Sequence, residues 1–209
     1  MRLLIATTNR GKIREIVSVL GDLPIELVTL ADLPPMAAPD ESGATFAENA
    51  AQKAGAYWRA AGLPTVAEDS GLEIDALGGR PGVESARYPG ATYPDKFQRL
   101  YRELAPRPRP WTARFVCALA FVEHEAAPIF ECQATIEGHI APEPRGGHGF
   151  GYDPIFYYPP YAATLAEVST ERKLAVAHRG RAFREFRGWL AGRIAPPPGG
   201  RPASSPDCS

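Results

Sequence analysis

Apolar residues in the chain come in short runs separated by polar, glycine-bearing turns, and their spacing alternates between that of a buried strand and that of an amphipathic helix. Leu3-Leu4-Ile5-Ala6 predicts a buried strand; Ile13, Ile16, Val17 and Leu20 then recur at helical spacing, and a second strand follows over 25–30. Thr45 and Glu48 form a capping box that opens a helix over 46–61. Thr65-Val66-Ala67 predicts a third strand, short enough that Glu68, Asp69 and Ser70 emerge at its end. A helix over 93–104 carries Phe97, Leu100, Tyr101 and Leu104. Two long strands come next. One, over 114–122, puts Phe115, Cys117, Leu119 and Phe121 on one face; the other, over 129–140, alternates apolar residues with Glu131, Gln133, Thr135 and Glu137. The turn between them predicts an antiparallel hairpin. Thr164 and Glu167 make a second capping box, so the stretch that follows is expected to be helical in pieces. Ala182, Phe183, Phe186, Trp189 and Leu190 mark the stripe of a closing helix that stops at Gly192.

The first strand, the helix after it and the second strand make a βαβ-sized unit. Residues 1–192 are expected to form a single domain, and 193–209, rich in Pro, Gly and Ser, a disordered tail. With 44% hydrophobic and 22% charged residues the composition is that of a soluble globular protein. No apolar run nears the roughly 20 residues of a membrane span. The opening MRLLIATTNRGK turns polar too early for a signal peptide, so a cytoplasmic location is expected. Cys117, Cys132 and Cys208 show no metal spacing and no disulfide framework, and the first two are expected to be buried thiols. The net charge of -1 excludes a bulk drive towards nucleic acid or an anionic membrane, so any anionic ligand must be met locally.

The polar stretches offer places where that could happen. Thr7, Thr8, Asn9, Arg10, Gly11 and Lys12 link strand to helix, where free N–H groups, a hydroxyl, an amide and a lysine make an anion site; they also read as plain helix caps. The spacing is not that of a Walker loop. Asn49 and Lys53, four apart, share a helix face that either addresses phosphates or stands in solvent. Glu68, Asp69, Glu73 and Asp75, ahead of the glycine-rich turn at 78–82, are candidate ligands for Mg²⁺, which one or two carboxylates and substrate phosphates usually hold; a solvated acidic turn is the alternative. Glycines around Phe150 and Tyr152 suit either a rim that lays a ring on a flat ligand or a tight strand entry. Lys173, His178 and Arg179 converge only if the chain turns near Ala177. Only four of the 23 basic residues are lysines, and Lys12, Lys53 and Lys173 all fall in these stretches. Those positions therefore call for a compact ammonium rather than a guanidinium.

TTNRGK at 7–12, TFAENAAQKA at 45–54, EDSGLEIDALGGRPGVESARY at 68–88, GFGYDPIF at 149–156 and KLAVAHRGRA at 173–182 together resemble the inosine triphosphate pyrophosphatase family, over about residues 3–190. The resemblance implies an elongated, two-lobed α/β fold on a long mixed sheet with a central cleft, and a homodimer. It also implies Mg²⁺-dependent hydrolysis of non-standard purine nucleoside triphosphates (ITP, dITP, XTP) between the α and β phosphates, giving the monophosphate and pyrophosphate. Carried onto this chain, Thr7 to Lys12 cradle the triphosphate with Lys53 and Ser70. Asp69 is the proton acceptor and a metal ligand, joined by an acid of the Asp40-Glu41 loop. Phe150 stacks on the base, Gly151, Tyr152 and Asp153 line its pocket, and Lys173, His178 and Arg179 address its edge.

Mg²⁺ favours a coordinating, ionised Asp69 over a free base, so Asp69 is expected to hold the metal or its water, with Glu68 or the Asp40-Glu41 pair in support. Donors from His178, Arg179 or backbone N–H reward the C6 oxygen of inosine and xanthosine and oppose the amino group of adenosine. Glu68 stands where many relatives have Asp, Asp40 where many have Glu, and Ala177 where Ser commonly precedes His-Arg; the first two change the reach of a carboxylate by one methylene. Turnover of other modified or standard triphosphates, or a non-catalytic nucleotide-binding module, are the alternative functions.

Overall fold

The computed structural model describes residues 1–194; residues 195–209, most of the expected tail, lie outside that range. Twelve main elements follow in order: β1 (Arg2–Ile5), α1 (Arg10–Leu20), β2 (Glu26–Thr29), α2 (Phe46–Ala61), β3 (Thr65–Ile74), α3 (Tyr93–Leu104), β4 (Thr112–Val122), β5 (Phe130–Ile140), β6 (Phe156–Tyr158), β7 (Ala163–Thr164), α4 (Thr170–Val176) and α5 (His178–Ile194). The strands form one sheet in the order β2-β1-β3-β4-β5-β6-β7. β1 runs parallel to β2 and β3, and every other pairing is antiparallel, so the expected α/β fold on a mixed sheet is present.

Unequal strand lengths shape the sheet. β1 pairs with β3 only at Leu4 with Thr65 and Ile5 with Val66, whereas β4 pairs with β3 from Thr65 opposite Val122 to Ile74 opposite Ala113. β3 therefore continues well past the short apolar run, and Glu68, Asp69 and Ser70 lie mid-strand rather than at its end. The antiparallel ladder with β4 satisfies their backbone groups on one edge. The strand that stops here is β1, and its departure opens the other edge.

Three apolar clusters hold the sheet. Leu3, Ile5, Ile16, Leu20, Phe121, Phe183 and Phe186 pack α1 and α5 on one face; Ala50, Ala54, Ala67, Ala118 and Ala120 let α2 approach the other closely. Leu72, Ile74, Leu100, Phe115, Ile136 and Phe156 form a third cluster at the far end, with α3. Full burial of one such Leu or Ile is worth roughly 1.5–3 kcal/mol. β3 and β4 run through from one end to the other, so both faces of β4 are buried from Phe115 onward, not the one face that its larger residues suggested.

Smaller differences have local causes. Val17 of α1 is exposed, and Glu15 turns inward beside Ile16 instead. Thr164 and Glu167 do box a backbone N–H, but they close a turn after β7; the helix starts later, capped by Ser169. α5 continues past Gly192 to Ile194. Among the described residues no helix is long and apolar enough to cross a membrane.

At Gly71 on β3 another stretch of chain approaches closely: a Cβ there would sit 2.4 Å from Ser85 Oγ and 2.5 Å from the Gly82 carbonyl oxygen. Gly71→Ala is therefore expected to destabilise the fold by about 1–3 kcal/mol, seen as a lower urea midpoint at unchanged slope.

Candidate active site

Where β1 leaves the sheet, the chain turns back on itself, Thr7 N–H donating to the Ile5 carbonyl, and Asn9 caps α1. The Asn9 Oδ1 accepts from Gly11 N at 2.9 Å and Lys12 N at 3.1 Å, so the cap itself occupies two of the N–H groups that a phosphate could use. Thr7 Oγ1 accepts from Asn9 N at 3.2 Å, and Thr8 and Arg10 are exposed. Lys12, one turn into α1, reaches the edge that β1 vacated and pairs with Glu68 Oε1 at 2.7 Å.

α2 brings two more groups to β3, and their spacing of four residues does so from one face. Asn49 Nδ2 donates to Asp69 Oδ2 at 3.0 Å while its Oδ1 accepts from Gly43 N, so the amide is locked in orientation. Lys53 Nζ pairs with Glu41 Oε1 at 2.6 Å and donates to the Glu68 carbonyl at 3.3 Å. The Asn49-Lys53 face is thus turned towards the acids, not towards solvent.

The third contribution comes from the break between α4 and α5. Ala177 adopts an extended backbone (ψ 153°) that ends one helix and starts the next, placing Lys173 in the last turn of α4 and His178 and Arg179 in the first turn of α5. A cation in a first turn opposes the helix dipole. Arg179 tolerates that position because acids surround it: Nη1 donates to Glu15 Oε2 at 2.6 Å and Nε to Glu68 Oε1 at 3.4 Å, and Nη2 reaches Ser70 Oγ at 2.7 Å. Lys173 Nζ meets Glu15 Oε1 at 2.7 Å and Asp153 Oδ2 at 2.5 Å. Asp153 also accepts from Phe150 N, fixing the glycine-rich loop.

Some of these groups border a cleft, whereas Glu15, Glu41, Asn49, Lys53, Glu68 and Asp69 are not among the residues that line it. Asn9, Lys12, Ser70 and Arg179 line one part, Phe150, Gly151, Tyr152, Asp153, Lys173 and His178 the rest. Gly11 lies beneath the Phe150 ring, where a Cβ would come within 2.5 Å of a ring carbon. Lys173 Nζ stands 4.6 Å and the Arg179 guanidinium 5.4 Å from the ring centroid. His178 stacks on Phe115 at 4.8 Å, and its Nδ1 is buried without a partner. Tyr152 donates to the Ser85 carbonyl and packs edge-on against Tyr93, which makes it inner wall.

The electrostatics follow from this burial. Burial disfavours a charged Glu68, but Arg179, Lys12 and Lys53 outweigh it and hold its carboxyl far below the usual range. Asp69 goes the other way: burial raises it, and Lys53 and Asn49 offset this only in part. Burial raises Asp153 too, against Lys173. Burial and then the charges of Arg179 and Lys173 push His178 well down, so the imidazole is neutral and offers one donor and one acceptor. Lys53 resists burial through its bond to Glu41 and stays above its usual range.

Among the described residues no three His, Cys, Asp or Glu side chains gather closely enough to hold an ion. The expected trio of Asp69, Asp40 and Glu41 is not assembled, because Lys53 takes Glu41, Asn49 takes Asp69, and Asp40 is exposed in the loop before α2. The donor chemistry is still that of Mg²⁺, all hard oxygen, and one or two carboxylates are its usual protein share. Sequence reasoning passed over Glu15, Phe115, Ser85 and Tyr93. For Glu15 a signal existed: it lies four residues after Gly11, on the same face of α1, inside an apolar stripe.

The Ham1 family model matches residues 3–189. The chain belongs to the Ham1 family. A dITP/XTP pyrophosphatase of Geobacillus kaustophilus is 47% identical over 186 residues, 87% of this chain and 90% of the relative. One from Escherichia coli K12 is 42% identical over 187 residues, 88% and 94% of the two chains. The solved structure of a HAM1 protein from Coxiella burnetii superposes with a TM-score of 0.83 at 39% identity, covering 92% of this chain and 99% of the other. The two parallel pairings and the long antiparallel ladder are therefore the frame of a Ham1 protein.

The depressed Glu68 carboxyl has a sign that can be tested. A carboxylate held down in the folded state stabilises above its unfolded value, here 4.5, and that contribution is lost as pH falls towards the folded one. Glu68→Gln is expected to cost about 3–5 kcal/mol at pH 7, since it leaves buried cations uncompensated. The gap between variant and parent in urea midpoint should narrow steadily from pH 4.5 down to pH 3; a gap independent of pH would refute the assignment.

Proposed function

We propose that this Ham1 protein hydrolyses non-standard purine nucleoside triphosphates, dITP, XTP and ITP, to the monophosphate and pyrophosphate. The observation that carries the reading is a cleft lined by Lys12, Lys173 and Arg179 together with the Phe150 ring and the neutral His178 imidazole, with Lys12 paired to the buried Glu68 of β3. The relatives named dITP/XTP pyrophosphatases, matched over nearly nine-tenths of the chain, support it.

The roles follow from position. Lys12, Lys53 and the N-terminus of α1 meet the phosphates, where compact ammonium groups act as point charges on oxygen. Asp69, its carboxylate oriented by Asn49, orients the attacking water. Asp69 would hold Mg²⁺ or its water, and the ion would supply positive charge to the phosphate oxygens and the leaving pyrophosphate. Phe150 stacks on the base. His178 is neutral, so it donates to an acceptor at purine C6 without attracting phosphate. Arg179, its donors already directed at Glu15, Glu68 and Ser70, orders the site more than it reads the base edge. The reading extends to a single two-lobed domain over 1–192 and a homodimer, as the family resemblance implies, and to a cytoplasmic location.

Release of pyrophosphate against orthophosphate from ITP, dITP, XTP, GTP and ATP, with and without Mg²⁺, tests this. Metal-dependent pyrophosphate from the first three and little from the last two is expected. Asp69→Asn should lower kcat by about 100-fold or more with a much smaller change in KM. Orthophosphate as product would refute cleavage between the α and β phosphates, an unimpaired Asp69→Asn would refute the role given to Asp69, and no turnover of any of the five would return the protein to a binding role.

A further inference from the structure

Asp153, Lys173, Glu15, Arg179, Glu68 and Lys12 form an unbroken line of alternating charge through the protein, with successive contacts of 2.5, 2.7, 2.6, 3.4 and 2.7 Å. Its midpoint is Glu15 of α1, whose side chain is only 4% exposed. Glu15 is not among the residues that line the cleft, and no step of the proposed chemistry uses it. Yet it is the one group that joins the two ends. One oxygen holds Lys173, which is tied through Asp153 to the loop carrying Phe150. The other holds Arg179, which is tied to Glu68 and Ser70 on β3.

A carboxylate with a cation on each oxygen keeps those cations apart and in register. Without its charge, Lys173 retains Asp153 and Arg179 retains Glu68, but nothing relates one pair to the other. Both cations, close to the Phe150 ring, are then each left with one fewer acid partner and with more unbalanced charge to offer an anion in the cleft. Attraction for phosphate would rise while alignment of the base against the phosphates would be lost. Base selection depends on that alignment, because a donor misplaced by a fraction of an ångström no longer separates a carbonyl from an amino group.

We infer that Glu15 is a positioning residue for base discrimination: by holding Lys173 and Arg179 on opposite oxygens, it sets the base-side rim in register with the phosphate-side strand. The inference rests on the pyrophosphatase reading, and it concerns a residue that touches neither base nor phosphate.

The test compares wild type, Glu15→Gln and Glu15→Asp for kcat and KM on ITP and ATP, and for inhibition by pyrophosphate, with folding checked by circular dichroism. In Glu15→Gln the ITP-to-ATP ratio of kcat/KM is expected to fall about tenfold or more, mainly through kcat on ITP. Pyrophosphate should inhibit this variant at a concentration lower by about threefold or more, since two cations have lost an anion. A merely structural glutamate would not tighten pyrophosphate. Glu15→Asp keeps the charge but not the two-sided reach, so it should lose discrimination without the tighter inhibition. A folded Glu15→Gln whose ratio stays within about twofold of wild type overturns the inference, and if that variant does not fold, an unchanged ratio in Glu15→Asp does so. A wild type inert towards ITP overturns the functional reading and this one together, whereas an active wild type beside an unchanged variant overturns this one alone.

Discussion

Glu68 and Arg179 meet inside the protein at 3.4 Å, each nearly inaccessible to solvent, and neither could be buried alone. Removing a full charge from water costs several kcal/mol, and only opposite charge and hydrogen bonds close by repay it. That demand propagates. Arg179 needs Glu15, Glu15 takes Lys173, and Lys173 takes Asp153; on the other side Glu68 takes Lys12. The cleft is lined by side chains whose positions are set by this sequence of obligations, so it is largely formed before any ligand arrives.

The sheet provides the opening. Had β1 matched β3 in length, the edge of Glu68 and Asp69 would be covered by another strand and Lys53 could not reach the Glu68 carbonyl. Instead β1 stops after Ile5, and the space it leaves receives the start of α1 from one side and the Lys53 side chain of α2 from another. A long strand beside a short one thus turns part of a hydrophobic core into a polar floor. The alanines of α2 and β4 matter for the same reason, since they let the helix carrying Asn49 and Lys53 approach closely enough for short bonds to β3.

Much of this was legible in the sequence because strong local signals carry it. Capping by Thr45, the periodic stripe of α5 and the alternation in β5 each identify an element without tertiary help. The scarcity of lysine drew attention to Lys12, Lys53 and Lys173, and all three stand in buried or half-buried ion pairs with the protein's own carboxylates. What escaped depends on long-range pairing. The full length of β3 is dictated by β4, some fifty residues later, and polar Glu68, Asp69 and Ser70 conceal a strand that only this partner reveals. The Thr164-Glu167 box obeys the same hydrogen-bond logic as a helix start, yet no helix follows directly. Glu15 was passed over despite its place in the apolar stripe because a lone acid on an amphipathic helix usually faces water, and the cations that it meets inside come from a distant part of the chain.

Those separations bear on the order of assembly. Arg179 reaches partners 164, 111 and 109 residues away in the chain, so the contacts that complete the cleft are among the least local in the molecule. During synthesis the acids Glu15 and Glu68 emerge long before their guanidinium, and until α5 docks they must remain hydrated, which keeps the edge of β3 open. Contacts of such high order form late and slowly. The chain acquires its sheet from neighbouring segments, but the charged floor closes only when α5 arrives, and catalytic competence becomes a report on the docking of that helix.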